Sequence, residues 1–282
     1  MARAIDTHVH PPQEPGSRPS PFAEATRCYF RAAPPPRDAD EMAQYYQERD
    51  IFGVLLASNW ETATGEPPVS NDYVARVVRK YPRQFMGFCS VDPWQGRRAI
   101  DEVRRSVEEL GLRGVKFHPS AQQFFPNEAQ FYPLWETCAR LKVPALFHTG
   151  MTGMGVGLPG GGGIKTKFCA PIPYIDDVAA DIPELTIIMA HPAFPWVDQQ
   201  LAVLLHKGNV VMDLSGYSPK YFPPQLIQYA NTLLQDRVMF GSDYPYITPD
   251  RWLGDFAEAP FREEVREKIL RDNAARLLGV SL

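Results

Sequence analysis

Short, nearly continuous apolar runs recur along the chain, and polar or amphipathic segments separate them. The runs are Ala4–His10, Gly53–Ser58, Phe85–Asp92, Gly114–His118, Val143–Thr149, Leu185–His191, Val210–Ser215 and Val238–Asp243. Runs of this length predict strands. Continuous hydrophobicity, rather than strict alternation, suits a parallel sheet covered on its outer face. The intervening segments Asp72–Tyr81, Gln95–Leu110, Gln130–Leu141, Ile175–Asp181, Val197–Lys207 and Pro224–Gln235 predict helices. In one of them, Ile100, Val103, Val107 and Leu110 share a face. The pattern closes with a helix over Glu263–Leu278, which Gly279 is placed to cap. Eight strands alternating with helices predict an α/β fold of the TIM type, a (β/α)8 barrel with long βα loops over its C-terminal face. The length of 282 residues suits one such domain spanning 1–282. A doubly wound open sheet is the alternative, but it would need fewer strands.

The predicted strand ends carry unusual polar chemistry. They are His8 and His10, Ser58-Asn59-Trp60, Asp92, His118, His148, His191, Asp213 with Ser215, and Asp243. Five of the six histidines lie there, at the face where this fold builds its sites. The exception, His206, falls near a helix end, where a cation suits the helix dipole, and reads as surface. His8 and His10 are spaced i, i+2, so on one strand both imidazoles project from the same face. With His148, His191 and Asp243 they supply four neutral nitrogens and one carboxylate. That sulfur-free set suits Zn²⁺ or another borderline divalent ion with an open coordination position.

Composition narrows the rest. A formal net charge of −4 gives no polyanion-binding signal, so nucleic acid is not an expected partner. The longest apolar runs are strand-sized, well short of the ~20 residues a membrane span needs. With no apolar leader before the first strand, a cytoplasmic protein is expected. Cys28, Cys89, Cys138 and Cys169 form no C-x-x-C pair and read as reduced, mostly buried thiols.

The run Ile5-Asp6-Thr7-His8-Val9-His10 resembles the amidohydrolase superfamily, as do Gly114-Val115-Lys116-Phe117-His118-Pro119, Ala190-His191-Pro192, Phe240-Gly241-Ser242-Asp243-Tyr244-Pro245 and Asn273-Ala274-Ala275-Arg276-Leu277-Leu278. The match is to the amidohydrolase-related branch that holds aminocarboxymuconate-semialdehyde decarboxylase and the resorcylate decarboxylases. The resemblance implies that His8, His10, His148 and Asp243 hold one metal, most simply Zn²⁺. It makes His191 the general acid/base beside that metal, or an extra ligand, and gives Asp243 a second role as acceptor of a proton from bound water. In binuclear relatives a strand-four lysine is carboxylated and bridges two metals. Here one metal is expected, with Lys116 electrostatic or structural. His118 is open to three readings: ligand, substrate contact, or a ring packed beneath the site.

Two loops bear on substrate. The segment Thr149–Gly163 is glycine-rich and followed by Lys165 and Lys167, so its amides could cradle an anion. The Pro- and Arg-rich segment Pro11–Pro36 is placed to fold over the barrel mouth. Many aromatics, including Trp60, Trp94, Phe124, Phe194, Tyr217 and Tyr244, follow strand ends and suggest a flat apolar substrate. Lys116, His118, Trp60, Tyr217 and Lys165 are the candidate substrate contacts. Arg27, Arg31, Lys220 and Arg251 could meet an anionic group. The glycine loop, with Ser218–Pro224, looks like a subgroup described as hydrolases of aryl β-ketoacyl-CoA. That likeness implies hydrolytic cleavage of a substrate such as 4-hydroxybenzoylacetyl-CoA to an aromatic acid and acetyl-CoA. The alternative is a non-oxidative, metal-dependent decarboxylase of an aromatic or muconate-like acid. The expected partner is thus a small aromatic or acyl-CoA molecule, and exposed apolar loop residues leave room for a homodimer.

Overall fold

The computed structural model describes residues 2–281. Eight strands form one sheet in chain order, every pair parallel. They are β1 (Ala4–Val9), β2 (Ile51–Leu56), β3 (Phe85–Ser90), β4 (Val115–Phe117), β5 (Ala145–His148), β6 (Ile187–Ala190), β7 (Val210–Asp213) and β8 (Val238–Met239). Backbone bonds from Thr7 N to Phe240 O (3.0 Å) and from Asp243 N to His8 O (3.0 Å) join the last strand to the first. The result is the expected (β/α)8 barrel.

Alternation along the strands splits the core in two. Ile5, Val54, Phe88, Leu146, Ile188 and Met239 fill the barrel interior, closed below by Ala274 and Leu278. Leu55, Cys89, Val115, Phe147, Met212 and their neighbours instead pack under the helices. No helix among the described residues is long and apolar enough to cross a membrane.

Three differences from the sequence reading have local causes. Pro11–Pro36 contains a helix, Pro21–Phe30, started by Ser20 accepting from Ala23 N and by Pro21 at the first helical position. Helices Ala39–Gln47 and Pro249–Glu258, capped by Asp38 and Thr248, were also not foreseen. The Glu263–Leu278 helix is interrupted by a π-helical stretch, Lys268–Asp272. There the Ile269 carbonyl accepts from Phe240 N (2.7 Å), so one helical turn widens to seal the barrel's seam. Gly279 caps the end at φ +63°.

Candidate active site at the barrel mouth

The opening histidine pair depends on a fault in the first strand. Asp6 pairs with Gly53 and Val9 with Leu55, so β1 spends one more residue than β2 over this stretch. Such a bulge changes which side chains face inward. Ile5 faces the interior, Asp6 turns out toward the helices, and His8 and His10 face the cavity. Asp6 accepts from Tyr46 Oη (2.9 Å) and Ser242 N (2.8 Å), tying the bulge to the chain after β8. Burial pushes the Asp6 carboxyl up to about 7 despite these donors.

Three predicted ligands converge. His10 Nε2 lies 3.0 Å and His8 Nε2 3.6 Å from Asp243 Oδ1, and one donor atom from each residue fits within 4.8 Å of the others. Lys116 Nζ, from the middle of β4, is buried and lies 3.3 Å from His8 Nε2. Behind His8, Asp213 Oδ2 accepts from Nδ1 at 3.2 Å. That bond leaves the His8 Nε2 lone pair facing Asp243 and Lys116.

His148 stands outside this trio. His191 joins them, with its ring centroid 4.6 Å from those of both His8 and His148 and its Nε2 3.1 Å from His148 Nδ1. His148 Nε2 is buried with no hydrogen-bond partner among the described residues. A buried nitrogen left unmet is the kind of atom a metal would satisfy. Nitrogen and carboxylate donors with one orphaned imidazole nitrogen therefore fit a borderline divalent ion.

His118 is stacked flat on His148, with centroids 3.9 Å apart. Its Nδ1 accepts from Ala121 N (3.2 Å) and its Nε2 meets Thr152 Oγ1 (3.0 Å). Both nitrogens are taken, so the geometry favours the packed reading of this ring over that of ligand. Cys169 Sγ comes within 4.8 Å of the donor atoms of His118 and His148. It accepts from Ser120 Oγ (3.0 Å), and burial pushes its thiol up to about 11.

The electrostatics follow from burial. His8 is driven down to about 3 by burial and by Lys116. Burial likewise lowers His148 and His191, so these rings favour the neutral form at neutral pH. Lys116 is lowered to about 8 by burial, partly countered by Asp213 and Asp243. Burial works against ionisation of Asp213 and Asp243, yet the surrounding imidazoles hold both below the usual carboxylate range. His191 and Asp243 reach their positions through left-handed backbone, at φ +69° and +71°.

A cavity of about 560 Å³ opens above these groups. Trp60, Tyr217 and Tyr246 line it, whereas Trp94, Phe124, Phe194 and Tyr244 do not. The Tyr217 hydroxyl is buried and partnerless among the described residues. The Pro21–Phe30 helix forms a lid: its capping Ser20 donates to both carboxylate oxygens of Glu66 (2.9 Å), and Trp60 Nε1 reaches Glu66 Oε2 at 3.2 Å.

The glycine-rich segment is the lid's other support and not an open anion cradle. Thr26 Oγ1 donates to Gly153 O (2.7 Å), while Gly157 and Gly162 lie against Tyr29 and Phe22 with no room for a Cβ. Lys165 is exposed and is not part of the cavity wall, so the structure does not bring it to the site. Arg27 and Arg251 line the cavity, Arg27 already paired with Glu24; Arg31 and Lys220 do not.

Supporting residues were the hardest to foresee. Asp213 and Ser215 stood out only as polar strand-end residues. Gln200, on the helix after β6, donates to His191 O (2.8 Å) and Thr149 Oγ1 (3.1 Å) and was not anticipated at all. A buried glutamine on an otherwise apolar helix face was the available signal.

The chain is similar to proteins of known name. It is 25% identical over 237 residues to 2-amino-3-carboxymuconate-6-semialdehyde decarboxylase of Dictyostelium discoideum, a stretch covering 74% of this chain and 65% of that one. Among solved structures it superposes on an uncharacterised TIM-barrel protein of Bordetella bronchiseptica (26% identity, 98% of both chains, TM-score 0.81). It also shares its fold with a dihydroxybenzoic acid decarboxylase of Polaromonas sp. JS666, solved with manganese and 2-nitroresorcinol (20% identity, 99% of this chain and 97% of that one, TM-score 0.64). The amidohydrolase family profile matches residues 5–280, nearly the whole barrel, and the chain belongs to that family.

Proposed function

We propose that this protein is a metal-dependent, non-oxidative decarboxylase of an aromatic or muconate-like carboxylic acid. One observation carries the reading: His8, His10 and Asp243 present donor atoms within 4.8 Å of one another, beside the neutral His191, in a chain whose Dictyostelium relative is named a decarboxylase.

His8, His10 and Asp243 would hold one divalent ion, with the orphaned His148 Nε2 as a further donor. Such an ion would supply Lewis-acid stabilisation of the negative charge that the substrate carries and develops. His191 then moves the proton. Nε2 first takes up a proton and then delivers it to the carbon bearing the carboxylate, where the pair released from the breaking C–C bond holds it as CO₂ leaves. One proton is consumed per turnover and no water. The partnerless Tyr217 hydroxyl would be available to donate to a substrate oxygen, and Trp60 and Tyr246 supply aromatic surface in the cavity wall.

Hydrolytic C–C cleavage of an aryl β-ketoacyl-CoA is the weaker reading. It leaned on the glycine loop and Lys165 as a phosphate cradle, but that loop is packed under the lid helix and Lys165 is exposed. The test is incubation of the Mn²⁺- or Zn²⁺-loaded protein with 2,6-dihydroxybenzoate and related aromatic acids in D₂O. The expected result is CO₂ release with one deuterium at the vacated carbon. Cleavage of 4-hydroxybenzoylacetyl-CoA, with no CO₂ from any acid, would overturn the proposal.

A further inference from the structure

Asp213, at the end of β7, and Ser215, just beyond it, make contacts that the proposed reaction does not use. Ser215 Oγ lies within hydrogen-bond distance of two groups: it donates to Asp213 Oδ1 and sits 2.7 Å from His191 Nδ1. Asp213 Oδ1 also accepts from the backbone N–H of Ser215 (3.0 Å) and of His191 (3.2 Å). Asp213 Oδ1 thus serves as the acceptor for two backbone N–H groups, and the hydrogen between it and Ser215 is the hydroxyl's own. With that hydrogen committed, the serine oxygen can only accept from His191.

We propose that Ser215 is a positioning residue that fixes the tautomer of His191. It holds the proton on Nδ1 and leaves Nε2 unprotonated, facing His148 Nδ1 at 3.1 Å. The bond order is Asp213 carboxylate, Ser215 hydroxyl, His191 Nδ1–H. Gly216 keeps the assembly closed. A Cβ there would come 2.6 Å from His191 Nδ1, so no side chain can wedge between ring and serine. The same Asp213 carboxylate sets His8 through its second oxygen. One buried aspartate thereby orients a proposed ligand directly and the proposed acid/base through an interposed hydroxyl.

The role rests on reading His191 as the proton-moving group, and the test separates the two. Full-length protein labelled with ¹⁵N-histidine is observed by long-range ¹H–¹⁵N correlation, Zn²⁺-loaded and after chelation, with His191→Gln identifying the ring. The expected spectrum shows an Nδ1–H ring with an unprotonated Nε2. Ser215→Ala should mix the two tautomers, and Ser215→Thr should restore one. Turnover of Ser215→Ala should fall roughly 10- to 100-fold in kcat with KM little changed. An Nε2–H ring in the wild-type protein, or a Ser215→Ala spectrum identical to wild type, overturns the proposal. The wild-type spectrum decides even where a variant fails to fold. An Nδ1–H ring in a protein that decarboxylates nothing removes the functional reading and leaves the tautomer assignment standing.

Discussion

Asp213 Oδ2 accepts a hydrogen bond from His8 Nδ1 at 3.2 Å, although 205 residues separate the two in sequence. Both side chains are buried. The contact aims His8 Nε2 at Asp243, and it ties the end of β7 to the end of β1. A substitution that keeps the shape but removes the charge isolates that role. Asp213→Asn should weaken Zn²⁺ or Mn²⁺ binding roughly 10- to 100-fold, read by titrating chelated protein with metal.

Metal removal should abolish turnover reversibly. Exhaustive dialysis against a chelator is expected to silence the protein, and added Mn²⁺ or Zn²⁺ to restore it. Asp243→Asn should lose more than about 100-fold in kcat and resist restoration, because the trio then lacks its only carboxylate. Equal activity before and after dialysis, with metal content verified at zero, would contradict the site.

The lid should loosen without the chemistry changing. Glu66 links the capping Ser20 of the Pro21–Phe30 helix to Trp60 in the cavity wall. Losing a charge-assisted contact worth about 1 kcal/mol predicts a KM raised roughly fivefold in Glu66→Ala, with kcat within a factor of two. Protease cutting within residues 14–37 should accelerate in the same variant. An unchanged KM would detach the helix from substrate binding.

Thiol reactivity should report the packing. Cys28 is exposed, whereas Cys89, Cys138 and Cys169 are buried. Burial pushes Cys138 up to about 12 and Cys169 to about 11, so thiolate is scarce at neutral pH. Iodoacetamide at pH 7.5 should label Cys28 alone in the native protein and all four thiols after unfolding. Fast labelling of Cys169 in the native state would mean that the wall beside His118 and His148 opens.

Acid stability should depend on Arg105. It bonds Asp72 Oδ2 at 2.6 Å and Glu102 Oε2 at 2.8 Å. Hydrogen bonds from Arg105 hold Asp72 below the ordinary carboxylate value, and at Glu102 burial opposes the same shift but is outweighed by Arg105 together with Asn71 and Ser106. Carboxyls with depressed folded values contribute stability above their unfolded pKa and lose it as pH falls through the folded one. These groups are partly exposed, so the contribution is about 1 kcal/mol. Arg105→Ala should cost that amount at pH 7, and the gap to wild type should close toward pH 2 in denaturant titrations.

Much of the barrel could be read along the chain because a parallel strand buried on both faces is a plain apolar run, and each run ended on its polar residue. The i, i+2 spacing of His8 and His10 led to the right convergence, although β1 reaches it through a bulge that spacing cannot reveal. Pro-rich composition hid the helix at Pro21–Phe30, even though Ser20 and Pro21 carry the local signals of a helix start. The glycine run misled in the opposite direction. Its composition fits an anion cradle, but Gly153, Gly157 and Gly162 are spent on lying close to Thr26, Tyr29 and Phe22, a tertiary requirement that leaves no local trace. Asp213 and Ser215 were visible as strand-end polar residues, but their division of labour depends on which of two oxygens faces which ring.

His191 and Asp243 both occupy backbone that glycine would adopt without cost. Evolving this barrel for heat tolerance alone should therefore favour glycine at these two codons early, and the survivors would be sturdier and inert. Any programme that hardens the scaffold has to freeze both positions by hand, since thermal selection and catalytic selection pull them in opposite directions.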